Sequence, residues 1–180
     1  MNAAIGDHRR VDASELRRLD PEAAVDHLDR LYRTALVMCG SRETAEDLVQ
    51  ETYAKVLSRP RFLRRDDDLG YLIKALRNTW HTHLRARGAR PQESELVDPE
   101  RIAASIGRSD PQLSLEAREV LAAVAALPEE FRDAVAAVDV GGLSYSEAAK
   151  ALGVAEGTIM SRLSRGRARV AEALSREAPG

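Results

Sequence analysis

A proline-rich, acidic stretch divides this chain. Residues 91–113 contain Pro91, Pro99 and Pro111, several acids and no apolar periodicity. Proline breaks a helix arriving from either side, and the stretch is too long for an ordinary loop inside a compact domain. It reads as a flexible linker, assigned here to residues 91–114, between two helical units.

The first unit spans 20–90. Asp20-Pro21 places proline at the first turn of a helix whose apolar residues Ala24, Leu28, Leu31, Ala35 and Met38 recur at three- and four-residue spacing. Gly40-Ser41 ends that helix, and Ser41 is a good N-cap for the next, which aligns Ala45, Leu48, Val49, Thr52 and Val56. Residues 59–68 read as a charged loop. A third helix carries Leu69, Leu72, Ile73, Leu76, Trp80 and Leu84, and Gly88 and Pro91 stop it. Residues 1–19 lack periodicity and read as a loose N-terminus.

The second unit spans 115–176. One helix runs from Leu115 towards Leu127, and Pro128 opens another that ends at Gly141-Gly142. Ser144-Tyr145-Ser146-Glu147 has capping-box spacing, so a short helix follows and stops at Gly153. A last helix starts near Ala155. No strand pattern of useful length appears, and aromatics are only 4% of the chain. The expected fold is all-α: two small helical domains joined by a flexible linker, the C-terminal one holding a helix-turn-helix.

Charge is segregated behind a net of −2. Residues 55–90 hold 10 Lys+Arg against 3 Asp+Glu, residues 91–147 hold 4 against 12, and residues 148–180 hold 6 against 3. Two basic blocks around an acidic one suit two surfaces that face a polyanion, with the acidic part kept away from it. Clustered solvated helix faces are the plainer alternative.

Three constellations stand out. A capped short helix, a turn glycine and a longer helix with Ile159 and Leu163 inward make a helix-turn-helix layout over Leu143 to Arg169. Its second helix offers Thr158, Ser161, Arg162, Arg165 and Arg167, types that bond phosphates and base edges. Arg162 could instead pair with Glu129 or Glu130. On the third helix Lys74, Arg77, Asn78, His81 and Arg85 lie opposite the apolar stripe, a pattern suited to nucleic acid. Trp80 falls on the stripe and reads as core. On the second helix Glu43, Asp47 and Glu51 stand four apart, with Gln50 beside them. Such like charges are mutually destabilising, and Asp47 and Glu51 are too far along to be explained by the helix N-terminus, so they suit a basic protein partner.

Other chemistry finds no support. Cys39 is the only cysteine, which rules out an internal disulfide or a cysteine zinc cluster. His81 and His83 point to different helix faces, so no metal is expected. No nucleophile–base pair or phosphate-cradling loop suggests an enzyme, a cofactor or a small-molecule substrate. No apolar run approaches the roughly 20 residues that span a bilayer, and residues 1–19 do not form a secretory signal. A cytoplasmic location is expected.

Taken in order, several segments resemble the extracytoplasmic-function sigma factors of bacterial RNA polymerase. They are Ala45-Glu46-Asp47-Leu48-Val49-Gln50-Glu51-Thr52; Leu72-Ile73 through Arg77-Asn78-Thr79 to Leu84-Arg85; Leu127-Pro128-Glu129; Gly142-Leu143-Ser144-Tyr145; and Gly157 through Leu163. The resemblance implies a sigma region 2 over 20–90 and a sigma region 4 over 115–176. It implies that Asp47, Gln50 and Glu51 dock on core polymerase, whose β′ clamp and β flap would be the contacts. It implies that Phe62, Lys74, Arg77, Asn78, His81 and Arg85 melt and read the −10 element. It implies that Thr158, Ser161, Arg162, Arg165 and Arg167 serve the −35 element. An anti-sigma factor is a further partner known in that family. Thr82 and Met160 depart from many members, which carry Asp or Asn and Arg at those places. A dimeric helix-turn-helix regulator and a helical protein-binding adaptor are the competing readings.

Overall fold

The computed structural model describes residues 16–58, 62–64, 68–86, 88, 104, 106 and 113–177. Most of the expected linker therefore lies outside the described residues, as does the N-terminus before Leu16. The described chain is helical except for one short pairing. Strand β1 (Leu16–Arg18) runs antiparallel to β2 (Phe62–Arg64), with Leu16 opposite Arg64 and Arg18 opposite Phe62. This corrects two expectations, that residues up to 19 are loose and that 59–68 is wholly loop. Three-residue strands are too short to show alternation, and each needs a partner remote in sequence.

The expected first helix is two. In α1 (Pro21–Val25) the Asp20 carboxylate accepts the Glu22 N–H at 3.0 Å and Pro21 opens the first turn. The His27 N–H then bonds back to the Ala24 carbonyl, a tightened i to i−3 turn that redirects the chain. Helix α2 (Leu28–Cys39) follows and ends at Gly40, whose φ of 66° takes the left-handed cap that glycine adopts without strain. Helix α3 (Arg42–Leu57) begins after Ser41, which sits at the N-cap but makes no side-chain capping bond. Helix α4 spans Asp68–Ala86.

In the second half the Ser114 hydroxyl accepts the Ala117 N–H and starts α5 (Leu115–Ala125). Pro128 is the N-cap of α6 (Glu129–Val135), which widens into a π-helical segment, Ala136–Val140. Helix α7 (Tyr145–Leu152) opens on a complete capping box: Ser144 Oγ accepts the Glu147 N–H, and Glu147 Oε2 accepts the Ser144 N–H at 2.7 Å. Helix α8 (Glu156–Glu177) closes the fold.

Helix α2 is central. It buries Leu31, Thr34, Ala35, Leu36, Val37 and Met38 and packs on α3, α4, α5 and the π-helical segment. Its buried hydroxyl is satisfied locally, Thr34 donating to the Arg30 carbonyl at 2.8 Å; Thr52 on α3 does the same to Leu48 at 2.7 Å. Leu72, Ile73 and Leu76 of α4 are almost wholly enclosed; each such side chain contributes about 1.5–3 kcal/mol. The two halves meet along a seam where α4 packs on α7 and α2 on α5. Gly141 is a point of close approach: a β-carbon there would lie 2.6 Å from Ile73 Cδ1.

Candidate nucleic-acid interface

The helix-turn-helix is α7, the turn at Gly153, and α8. Gly153 has φ 69°, and the Val154 N–H bonds to the Ala149 carbonyl at 3.0 Å. Ala148, Ile159 and Leu163 are buried where the two helices cross, which fixes the roll of α8. Met160, Ser161, Ser164 and Arg165 consequently face solvent, with Thr158 half-buried near the helix start. Gly166 lets α8 approach α6: a β-carbon there would come within 2.8 Å of Val135 Cγ2. The Arg169 guanidinium sits 4.4 Å from the centre of the Phe131 ring, a cation–π contact across the same joint.

The five α8 residues expected to face DNA do not share one environment. Ser161 and Arg165 are exposed, and Arg165 forms no ion pair among the described residues. Arg162 is half-buried, with Nη2 3.8 Å from Glu130 Oε2, so the pairing weighed from sequence is present in loose form. Arg167 is exposed as well, but it is paired. Two residues beyond Arg165, it lies roughly 160° round the helix. It donates to both carboxylate oxygens of Asp139, at 3.0 and 2.6 Å. Asp139 and the Tyr145 hydroxyl raise its pKa further, so it is permanently charged and already matched.

On α4 the basic face is likewise divided. Lys74, Asn78 and Arg85 are exposed, and Phe62 on β2 is 66% exposed. Arg77 instead crosses the seam: its Nε donates to Asp133 Oδ2 of α6 at 2.5 Å. His81 is enclosed beside it, its Nε2 3.4 Å from Glu129 Oε1 and without a hydrogen bond. Burial, aided by the Arg77 charge, lowers the His81 pKa, against the pull of Glu129 and Asp133, so the ring is neutral at pH 7. His81, Glu129 and Asp133 thus bring one nitrogen and two carboxylates within 4.8 Å of one another. The Arg77 guanidinium already neutralises Asp133, which makes the group a charge clasp rather than a cation cradle. Trp80 is 8% exposed, in keeping with its place on the apolar stripe.

Helix α3 presents Asp47 and Gln50 to solvent. Glu51 has partners inside the fold: Lys55 Nζ at 2.5 Å and the His83 ring of α4, whose hydrogen bonds hold its carboxyl below the usual range. Its charge therefore has a structural explanation that spacing alone did not supply. The sequence reading missed Glu129, Asp133 and Asp139 as partners of Arg77, His81 and Arg167. The acidic block was visible, and its pairing with Arg162 was weighed, but not that it would also fold against Arg77, His81 and Arg167. It also missed Arg132, which is 3% exposed and donates from Nη1 to the Ala125 carbonyl at the end of α5.

Comparison with known proteins accounts for this arrangement. The family described as Sigma-70 region 2 matches residues 24–90, and that described as Sigma-70, region 4 matches 117–170. The SigM ECF RNA polymerase sigma factor of Mycobacterium tuberculosis is 32% identical over 177 residues, covering 94% of this chain and 87% of that protein. This chain is an extracytoplasmic-function sigma factor by family. The family's EcfG from Rhodopseudomonas palustris is 33% identical, covering 78% of this chain and 76% of its own length. SigE of Mycolicibacterium smegmatis is 34% identical over 86% of this chain, which spans 61% of that longer protein. Among solved structures, the sigma factor RpoE of Bartonella quintana, crystallised with the anti-sigma factor NepR, superposes with a TM-score of 0.64 and 28% identity, over 87% of this chain and 97% of that one. The region 2 match begins within α1 and takes in α2 to α4, and the region 4 match runs from within α5 into α8. No helix among the described residues is long and apolar enough to cross a membrane.

Proposed function

We propose that this chain is a dissociable promoter-recognition subunit of bacterial RNA polymerase that performs no covalent chemistry itself and works in the cytoplasm. The observation that carries the reading is the pairing, in one chain and in order, of a region 2 match with a region 4 match that holds a capped helix-turn-helix. A dimeric regulator or a protein-binding adaptor would need no region 2, and neither is favoured.

Within that reading, Asp47 and Gln50 on the exposed face of α3 are the docking residues for a basic surface of core polymerase, with Glu51 holding α3 against α4 beside them. Lys74, Asn78, Arg85 and Phe62 are the −10 contacts open to DNA, and Arg77 and His81 join them once freed from α6. Thr158, Ser161 and Arg165 are the −35 contacts, and Arg162 flanks them. The polar, exposed N-terminal turns of α8 suit a phosphate backbone, where helix N–H groups add to side-chain donors. An anti-sigma factor is a natural further partner, since RpoE was crystallised with one.

The test is in vitro transcription with bacterial core polymerase on a library of genomic promoter fragments. Specific, chain-dependent transcripts are expected. Tight binding of the chain alone to a palindromic duplex, with no polymerase-dependent transcripts, would replace this reading with the dimeric regulator.

A further inference from the structure

The outward face of α8 is not uniformly polar. Met160 is 54% exposed on it, among Ser161, Ser164 and Arg165. Among the described residues of α8 it is the one large apolar side chain left exposed. A single exposed apolar side chain carries no meaning by itself; its position gives it one. Burial of Ile159 and Leu163 fixes the roll of α8. At about 100° per residue, Ser164, Ser161 and Arg165 then lie about 40°, 100° and 140° round from Met160, so Met160 and Arg165 border the outward face. Met160 also stands only about 6 Å along the axis from the helix start at Glu156. That is the N-terminal part of a recognition helix, the part that meets base edges. Its own border has nothing to hold a phosphate. Glu156, one turn before it, is acidic and exposed. Arg167, two turns on, is taken by both oxygens of Asp139.

We propose that Met160 is a specificity-determining residue of the −35 reader: its side chain packs on the 5-methyl group of a thymine, so the element holds an A·T pair at that place. The inference rests on the sigma-factor reading and deepens it. A thioether cannot bond a phosphate or match a polar base edge, and the apolar substituent that the major groove displays is the thymine methyl. Methionine suits the contact, because an unbranched side chain with a polarizable sulfur follows an irregular wall at little cost. Met160 is already exposed in the free chain, so the contact removes two apolar surfaces from water and strips no polar group. Ser161 and Arg165, further round the same face, supply the polar contacts to bases and backbone.

The experiment uses holoenzyme assembled from the full chain and bacterial core polymerase, on a promoter whose transcription needs its −35 element. Each −35 thymine, on either strand, is replaced singly by deoxyuridine, which removes the methyl and keeps every hydrogen-bonding group. At one thymine the parent should bind the uracil promoter roughly fourfold more weakly, about what burial of one methyl-sized group contributes. In Met160→Ala, and in Met160→Gln, which keeps the length but not the apolar character, the thymine-to-uracil ratio should fall to about one. Met160→Leu should keep most of it. Each ratio compares two DNAs with the same protein, so a loss of folded chain in a variant cancels from it. Uracil tolerated by the parent at every position, an element without an A·T pair, or a uracil penalty that persists in Met160→Ala would each overturn the proposal. Absence of any chain-dependent, −35-dependent transcription would overturn the sigma-factor reading itself and this inference with it; the other outcomes arise only where that reading holds.

Discussion

Replacing Arg165 by alanine should weaken promoter binding far more than replacing Arg167, although both are arginines on one helix two residues apart. The difference comes from how α8 is seated. Ile159 and Leu163 are buried under α7, and Gly166 lies against Val135, so the helix cannot roll to present both. Arg165 is exposed on the open side. Arg167 lies on the opposite side, bonded to both oxygens of Asp139. If Arg165 binds a phosphate, its loss should lower the slope of log K against log salt by about 0.9. If it reads a base, about 1–3 kcal/mol of discrimination is also lost, roughly 5- to 150-fold, and −35 mutations should then matter less. Arg167→Ala removes an ion pair whose side chains are 50% and 33% exposed, so solvent screening leaves it about 0–1 kcal/mol of fold stability. It should leave the salt slope unchanged. The assay is holoenzyme binding and transcription across a potassium chloride series, on a promoter with an intact −35 element and on a panel of −35 substitutions. An Arg167→Ala slope change as large as that of Arg165→Ala would refute the argument from helix seating.

Three further outcomes follow from local geometry. His81 has its pKa lowered from 6.5 by burial and by Arg77, with Arg85 adding and Glu129 and Asp133 opposing, so the folded chain prefers the neutral ring. Its contribution to stability should be full above about pH 6.5 and weaken as pH falls from there towards the depressed value; denaturant unfolding against pH should show this and His81→Gln should flatten it. Ser144→Ala should cost about 1 kcal/mol by removing the cap of α7, read by denaturant unfolding. Because Ser144 holds the Glu147 carboxyl below 4.5, that contribution should persist above pH 4.5 and fade below it. Gly166→Val should destabilise the chain by about 2 kcal/mol through overpacking against Val135, seen as a lower thermal midpoint; an unchanged midpoint would mean α6 and α8 can separate freely.

Most of the helical framework was legible in the sequence because its signals are local. Pro21, Gly40, Pro128, Ser144 and Gly153 each act within a few residues, and the helices begin or end beside them. Buried Leu72, Ile73, Leu76 and Trp80 are the stripe that periodicity picks out. The misses were of another kind. At the break by Asp26-His27 the Ala24 carbonyl also accepts the Tyr53 hydroxyl of α3 at 2.7 Å, and Leu16–Arg18 pairs with Phe62–Arg64; both involve segments remote in sequence. Asp47 and Gln50 remained exposed, whereas Glu51 found Lys55 one turn away and His83 on another helix.

Charge shows the division most plainly. The sequence by itself determined that two basic helices and an acidic segment exist, because composition and 3.6-residue periodicity are properties of the chain alone. It determined the helix-turn-helix, because a capping box, a turn glycine and two apolar stripes specify that unit within 26 residues, 144–169. Which charges stay open to a partner was decided by tertiary structure. Arg77 and Arg85 look alike on the α4 face, yet packing α6 across the seam brings Asp133 to one and leaves the other exposed. Arg165 and Arg167 look alike on α8, yet burial of Ile159 and Leu163 fixes the roll that gives Arg167 to Asp139. A helix's own periodicity says which residues share a face; only the elements packed around it determine what that face meets.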